Sequence, residues 1–146
     1  MEDFLLAVGY SSLLMSILIM YLIPVIASWK IFAKAGIAGW KSLVPVYNLY
    51  LLFKISNMSG LWTVPLVVLS VLSSYYSGQT ELPSVAAIVI LISALLTIIA
   101  EVMKAIKLPK AFGKGIGYTI LMILLPNIGE IALGFGSAEY QGDYKE

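Results

Sequence analysis

Four apolar stretches, roughly residues 4–28, 61–77, 83–103 and 116–136, dominate the chain. Each falls in the range of about 17 to 25 helical residues that can cross a hydrocarbon core about 30 Å thick. A water-soluble domain of this size needs polar residues outside, because much of its surface stays exposed after folding. Here 60% of the 146 residues are hydrophobic and 12% charged, against roughly 45–50% and about 25% in soluble domains. The expected fold is therefore all-α: one transmembrane domain over residues 1–146, an integral membrane four-helix bundle. Pro83 suits the first turn of the third span, where its missing N–H costs nothing.

The lysines set the expected orientation. Lys30, Lys34, Lys41 and Lys54 follow the first span, Lys104, Lys107, Lys110 and Lys114 follow the third, and Lys145 lies in the tail. The positive-inside rule makes both basic segments cytoplasmic. The N-terminus, the 78–82 loop and the C-terminal tail then lie outside a multi-pass protein of the cell membrane. Glu2, Asp3, Glu81, Glu139, Asp143 and Glu146 fall outside in the same scheme. Interfacial aromatic belts are expected from Trp29, Trp40 and Trp62 on the inner side and from Tyr75, Tyr76, Phe135 and Tyr140 on the outer. The first run begins with Glu2 and Asp3 instead of lysines, and it is long for a signal-peptide core. It is expected to be an N-out anchor.

Between spans one and two, residues 29–57 form an interfacial or re-entrant segment. LVPVYNLYLLFKI, residues 43–55, is apolar for about 13 residues, short for a crossing. Ser42 is its candidate N-cap and Pro45 its first-turn proline. In a continuous helix Lys30, Lys34 and Lys41 would share one face, a basic ribbon able to attract anionic lipid at the cytoplasmic surface or an acidic partner. The same lysines are also what a topology collar requires. Tyr47 and Asn48 open the short apolar segment and join the candidate binding residues, as do Lys110 and Lys114 of the glycine-rich second basic segment. That segment lacks the spacing of a phosphate-binding Walker loop. KIFAK at 30–34 and KAFGK at 110–114 share K-x-F-x-K, and each precedes glycine and then proline. The echo reads either as two parallel halves or as two copies of one interfacial collar.

Glu101 and Glu130 are the only acids inside the spans, where an ionisable group costs several kcal/mol unless it is paired or faces water. Glu101 can reach Lys104 or Lys30. Glu130 is expected near the outer end of span four, on one face with Asn127 three residues earlier. Below Pro126, the two could line a polar pocket or pore, or satisfy one another. The chain has no cysteine, histidine or arginine, so thiol and imidazole chemistry are excluded and no metal site or cofactor is expected. No nucleophile, base and orienting group stand together, and the chain is not read as an enzyme. Nothing points to nucleic acid.

The blocks WKIFAKAGIAGWKSLVPVYN (29–48), KAFGKGIG (110–117) and LGFGSAEY (133–140) resemble an uncharacterised bacterial family of small membrane proteins, a domain of unknown function, over about residues 25–140. Some of its members are joined to signal-peptidase-like proteins, which implies work in the cell envelope or in secretion. Relatives often carry an I-P-x-x-N-like block in the next span. LWTVPLVVLS, at 61–70, keeps Pro65 without the asparagine. The expected function is binding, as a helper or subunit of an envelope assembly with a membrane-protein partner or further copies of itself. The alternative is a small oligomeric channel or transporter using Glu130 and Asn127.

Overall fold

The computed structural model describes the backbone of residues 1–144 and, outside residues 2–8, their side chains. Every regular element among them is helical. Two helices dominate, α1 (Glu2–Lys34) and α4 (Ser84–Ala111). Their apolar windows have mean hydropathies of 2.0 and 2.7, yet only 17% and 11% of those windows are buried. A core helix of a water-soluble protein would be mostly buried; these two are long and apolar enough to cross a membrane. Between them come α2 (Pro45–Ile55) and α3 (Thr63–Tyr76), the latter extended backwards by a 3₁₀ turn at Gly60–Trp62. After α4 come α5 (Ile116–Leu124) and α6 (Pro126–Phe135).

Packing is concentrated at one end. Phe32, Leu51, Ile55, Leu108, Phe112 and Leu133 form a closed core where α1 and α4 finish. Lys30, Lys34, Lys110 and Lys114 surround it, so this is the basic end of the molecule. The opposite end carries the 78–82 loop between α3 and α4.

Each long helix is turned back at the basic end by a glycine in the left-handed region, Gly36 (φ +74°) after α1 and Gly113 (φ +66°) after α4. A side chain there would meet its own backbone, which is why glycine stands at both places. After Gly36 the chain runs back along α1 through a 3₁₀ turn at Gly39–Leu43. Gly39 lies against the Trp29 ring. The Leu43 carbonyl accepts a 3.1 Å hydrogen bond from the Tyr21 hydroxyl, about 20 Å along α1 from Lys34 at 1.5 Å per residue. Pro45 then opens α2 at a first-turn position, and α2 carries the chain back to the basic end. The second half repeats the device. α5 leads away from Gly115, the backbone breaks at Leu125 (φ −140°, ψ 72°), and Pro126 opens the returning α6. The returning helices are exchanged between the halves: α6 packs on α1, and α2 packs on α4. The K-x-F-x-K echo thus marks the turn-back of two architecturally parallel halves, with Phe32 and Phe112 both buried.

Several expectations need correction. The stretch 116–136 is a helical hairpin and not a single span, so the four-helix bundle does not form. Proline at 126 cannot donate to Met122 and its ring crowds the preceding turn, and Leu125 absorbs the reversal. The tail therefore returns to the basic end instead of the opposite one. The Gln141 N–H donates to the Ala111 carbonyl at 2.7 Å, and the Tyr140 hydroxyl donates to the Ile55 carbonyl at 3.2 Å. Phe135 and Tyr140 belong to the basic end too: Phe135 lies under Lys30 at 5.8 Å, and Tyr140 packs on Phe112 at 5.2 Å. Glu139 and Asp143 travel with them; Glu2, Asp3, Lys145 and Glu146 lie outside the residues whose side chains are described. The basic ribbon is also broken, because α1 stops at Lys34 and Lys41 sits in the following 3₁₀ turn. Ser42 caps nothing. Val44 holds the N-cap position of α2, and Ser42 is buried.

Candidate functional site

Among the described residues the buried charged side chains are Lys104 of α4 and Glu130 of α6. Lys104 points off α4 into the interior and is 6% exposed, and Glu130 of α6 is 7% exposed. The Lys104 ammonium stands 2.8 Å from Glu101 Oε2, one helical turn earlier, and 3.3 Å from Glu130 Oε1 across the helix interface. Two carboxylates thus share one ammonium in a poorly solvated place. Such a group persists only when the charges are close enough to offset their desolvation. Glu101 is the wetter member, its side chain 36% exposed. A small cavity of about 80 Å³ opens beside the triad, lined by Glu101, Lys104, Met122, Pro126 and Glu130 among others.

The geometry separates Asn127 from Glu130. Asn127 is exposed at the 124–128 turn, whereas Glu130, one turn further along α6, is buried. They share a helical face, but only the later residue lies within the packed part of α6. Nor is Glu130 at the far end. It lies level with Lys104, about 10 Å from the basic end of α4 by helical rise. Of the two partners expected for Glu101, Lys104 is the one that pairs with it. Its distinguishing signal is Glu101 one turn before it, on the interior side.

The other sequence candidates scatter over the basic end. The Lys34 ammonium closes the α1–α6 contact, donating to the carbonyls of Leu133 at 2.8 Å and Gly136 at 2.6 Å. A cation at the last carbonyls of α6 is favoured by the helix dipole. Lys30 and Lys110 are exposed, and Lys114 lies over the Tyr118 ring at 5.5 Å. Lys41 lies over Tyr47 at 5.9 Å, and Tyr47 stacks on Tyr50 at 5.8 Å. The Asn48 amide donates to the Ser42 carbonyl at 3.1 Å and ties the first turn to α2. Burial pushes the Tyr140 phenol above its ordinary range.

Among the described residues no group of three or more histidine, cysteine, aspartate or glutamate side chains could hold a metal ion. No curated protein and no solved structure matches the chain. The model of a family of unknown function, DUF5684, matches residues 40–143, a region that begins inside the first 3₁₀ turn and takes in α2, the whole second turn-back, the buried triad and most of the tail. The chain belongs to that family.

Proposed function

We propose that this chain is a multi-pass subunit of the cell membrane that works by binding, within a bacterial envelope or secretion assembly, and carries out no catalysis. In this reading α1, α3 and α4 cross the bilayer, the two turn-backs are re-entrant hairpins, and the lysine-rich end is cytoplasmic. The N-terminus is then outside and the C-terminus inside.

One observation carries the proposal. The Leu124–Ile128 turn stands exposed, and the length of α6 places it about 15 Å from the basic end, near the middle of a hydrocarbon core about 30 Å thick. The first N–H groups of α6 and the last carbonyls of α5 have no partner within their own helices. Lipid cannot satisfy them, and irregular backbone at that depth is tolerated only where protein or water covers it. The first hairpin meets the same demand internally, through Tyr21 and the Leu43 carbonyl. At the second, Asn127 offers an amide suited to bonding across helices. A neighbouring protein, another membrane protein or a further copy of this chain, is the cover that this turn calls for.

The test is a photo-reactive residue at Leu124 in native membranes, with Leu91 on the apolar surface of α4 as control. A discrete adduct from position 124, none from 91, and loss of the adduct on Asn127→Leu are expected. Lipid adducts alone from both positions would refute the proposal. The small cavity beside Glu101, Lys104 and Glu130 supports a second reading, an oligomeric channel or transporter with Asn127 and Glu130 in its pathway. In liposomes that reading requires an ion or solute flux that changes with Glu130→Gln; silence rejects it.

A further inference from the structure

At the basic end a polar cleft of about 340 Å³ opens where the ends of α2 and α4 meet the tail. Ser56, Asn57, Lys107, Lys110, Gln141 and Gly142 line it, and none of its lining residues is acidic. Lys107 and Lys110 stand one turn apart on α4, so their side chains are neighbours on the helix surface. Among the described residues neither ammonium has a carboxylate partner. Lys107 makes a long 3.5 Å contact with the Asn57 carbonyl, at the weak limit of a hydrogen bond. The tail wall is tied down on both sides. The Gln141 N–H donates to the Ala111 carbonyl at 2.7 Å, and the Tyr140 hydroxyl donates to the Ile55 carbonyl at 3.2 Å. These bonds fix Gln141 beside the lysines, and they engage carbonyls at the ends of α4 and α2 that would otherwise repel an anion. Gly113 leaves room for the Gln141 side chain, since a Cβ there would run into its amide.

We propose that this cleft binds a phosphate group, with Lys107 and Lys110 supplying the counter-charge and the amides of Asn57 and Gln141 the neutral donors. Lysine binds phosphate as a point charge, and each carboxamide adds N–H donors that an anion can accept. The two ammoniums repel a cation, and polar walls offer nothing to a purely apolar ligand. A collar that only fixes orientation needs lysines on one side of the membrane; it does not need two of them in one acid-free cleft with two amides. The phosphate belongs either to an anionic lipid headgroup at the cytoplasmic surface or to a soluble phosphate ester, and the experiment separates the two. The lipid source rests on the membrane placement proposed above. Neither source rests on assembly through the 124–128 turn, so the photo-adduct at Leu124 and phosphate binding can fail separately.

The experiment has two arms, both on the full chain in mild detergent. In one, inorganic phosphate is titrated in and its phosphorus NMR line width followed; in the other, native mass spectrometry reads retention of phosphatidylglycerol against phosphatidylcholine. Selective retention of one phosphatidylglycerol assigns the lipid source, and phosphate broadening without it assigns the soluble one. Lys107→Gln with Lys110→Gln should weaken whichever signal appears about 30-fold, following from ~1 kcal/mol per lysine near an anionic group. Lys30→Gln with Lys114→Gln removes the same charge from outside the cleft and should change it by no more than about twofold, because separated surface charges are screened. Gln141→Glu, at an exposed position, should abolish binding with both lysines in place, by giving them a carboxylate of their own. No signal in either arm, equal loss from the two lysine pairs, or undiminished binding in Gln141→Glu would each overturn the site.

Discussion

Lys104→Met is expected to destabilise the protein by about 3–5 kcal/mol, the usual cost of removing one partner from a buried ion pair. The size follows from what remains. Without the ammonium, the Glu130 carboxylate, at 7% exposure, is left without its counter-charge. Glu101, partly exposed, can rotate towards water and is the lesser problem. Adding Glu130→Gln to Lys104→Met should therefore recover most of the loss, because a neutral amide of the same shape carries no stranded charge. Thermal unfolding in mild detergent or bicelles measures both. A single variant as stable as wild type would mean that the three groups are not held together as described.

Gly134→Leu is expected to cost at least the roughly 1–3 kcal/mol of an overpacked contact. A Cβ at Gly134 would already stand 2.8 Å from the Ala27 carbonyl oxygen and 3.2 Å from the Lys30 Cβ. The first neighbour is helix backbone and cannot rotate away. Small residues let membrane helices approach closely, and here the approach also brings the Leu133 and Gly136 carbonyls to Lys34. Forcing α6 off α1 should therefore loosen the last turn of α6 as well, read as faster amide exchange over residues 133–136. Gly117, with nothing within 4 Å of its would-be Cβ, is the control; leucine there should change stability by no more than about 0.5 kcal/mol.

The sequence carries much of this architecture, and its silences have physical causes. Apolar length found α1 and α4, since nothing but a long helix uses such runs. Length also marked residues 43–55 as too short to cross, and the segment indeed turns back, with Pro45 at the first turn of α2. The same reasoning failed at 116–136, where total length suffices for a span but Leu125, Pro126 and the close approach of Gly129 to Met122 fold it in two. Hydropathy sums residues along a segment and does not register a reversal inside it. Everything downstream of that reversal was placed at the wrong end: Phe135, Tyr140, Glu139 and Asp143. Glu101 and Glu130 stood out because acids are costly in apolar runs. Lys104 was legible as a partner for Glu101, but its second carboxylate, Glu130, reaches it only because the chain reverses within 116–136. Tyr21 gave no signal, because a tyrosine in a long apolar helix looks the same whether or not its hydroxyl has a carbonyl to find.

Whether residues 116–136 turn back or cross decides which side of the membrane the tail reaches. The chain has no cysteine, so single cysteines at positions 57, 80 and 141 can be read one at a time with a membrane-impermeant maleimide on intact cells. Asn57 and Gln141 are exposed at the basic end, and Thr80 is exposed in the loop at the other. With the segment turned back, Thr80→Cys is labelled from outside, while Asn57→Cys and Gln141→Cys are labelled only after the cells are opened. Labelling of Gln141→Cys from outside along with Thr80→Cys would mean that the segment crosses, and would contradict the hairpin.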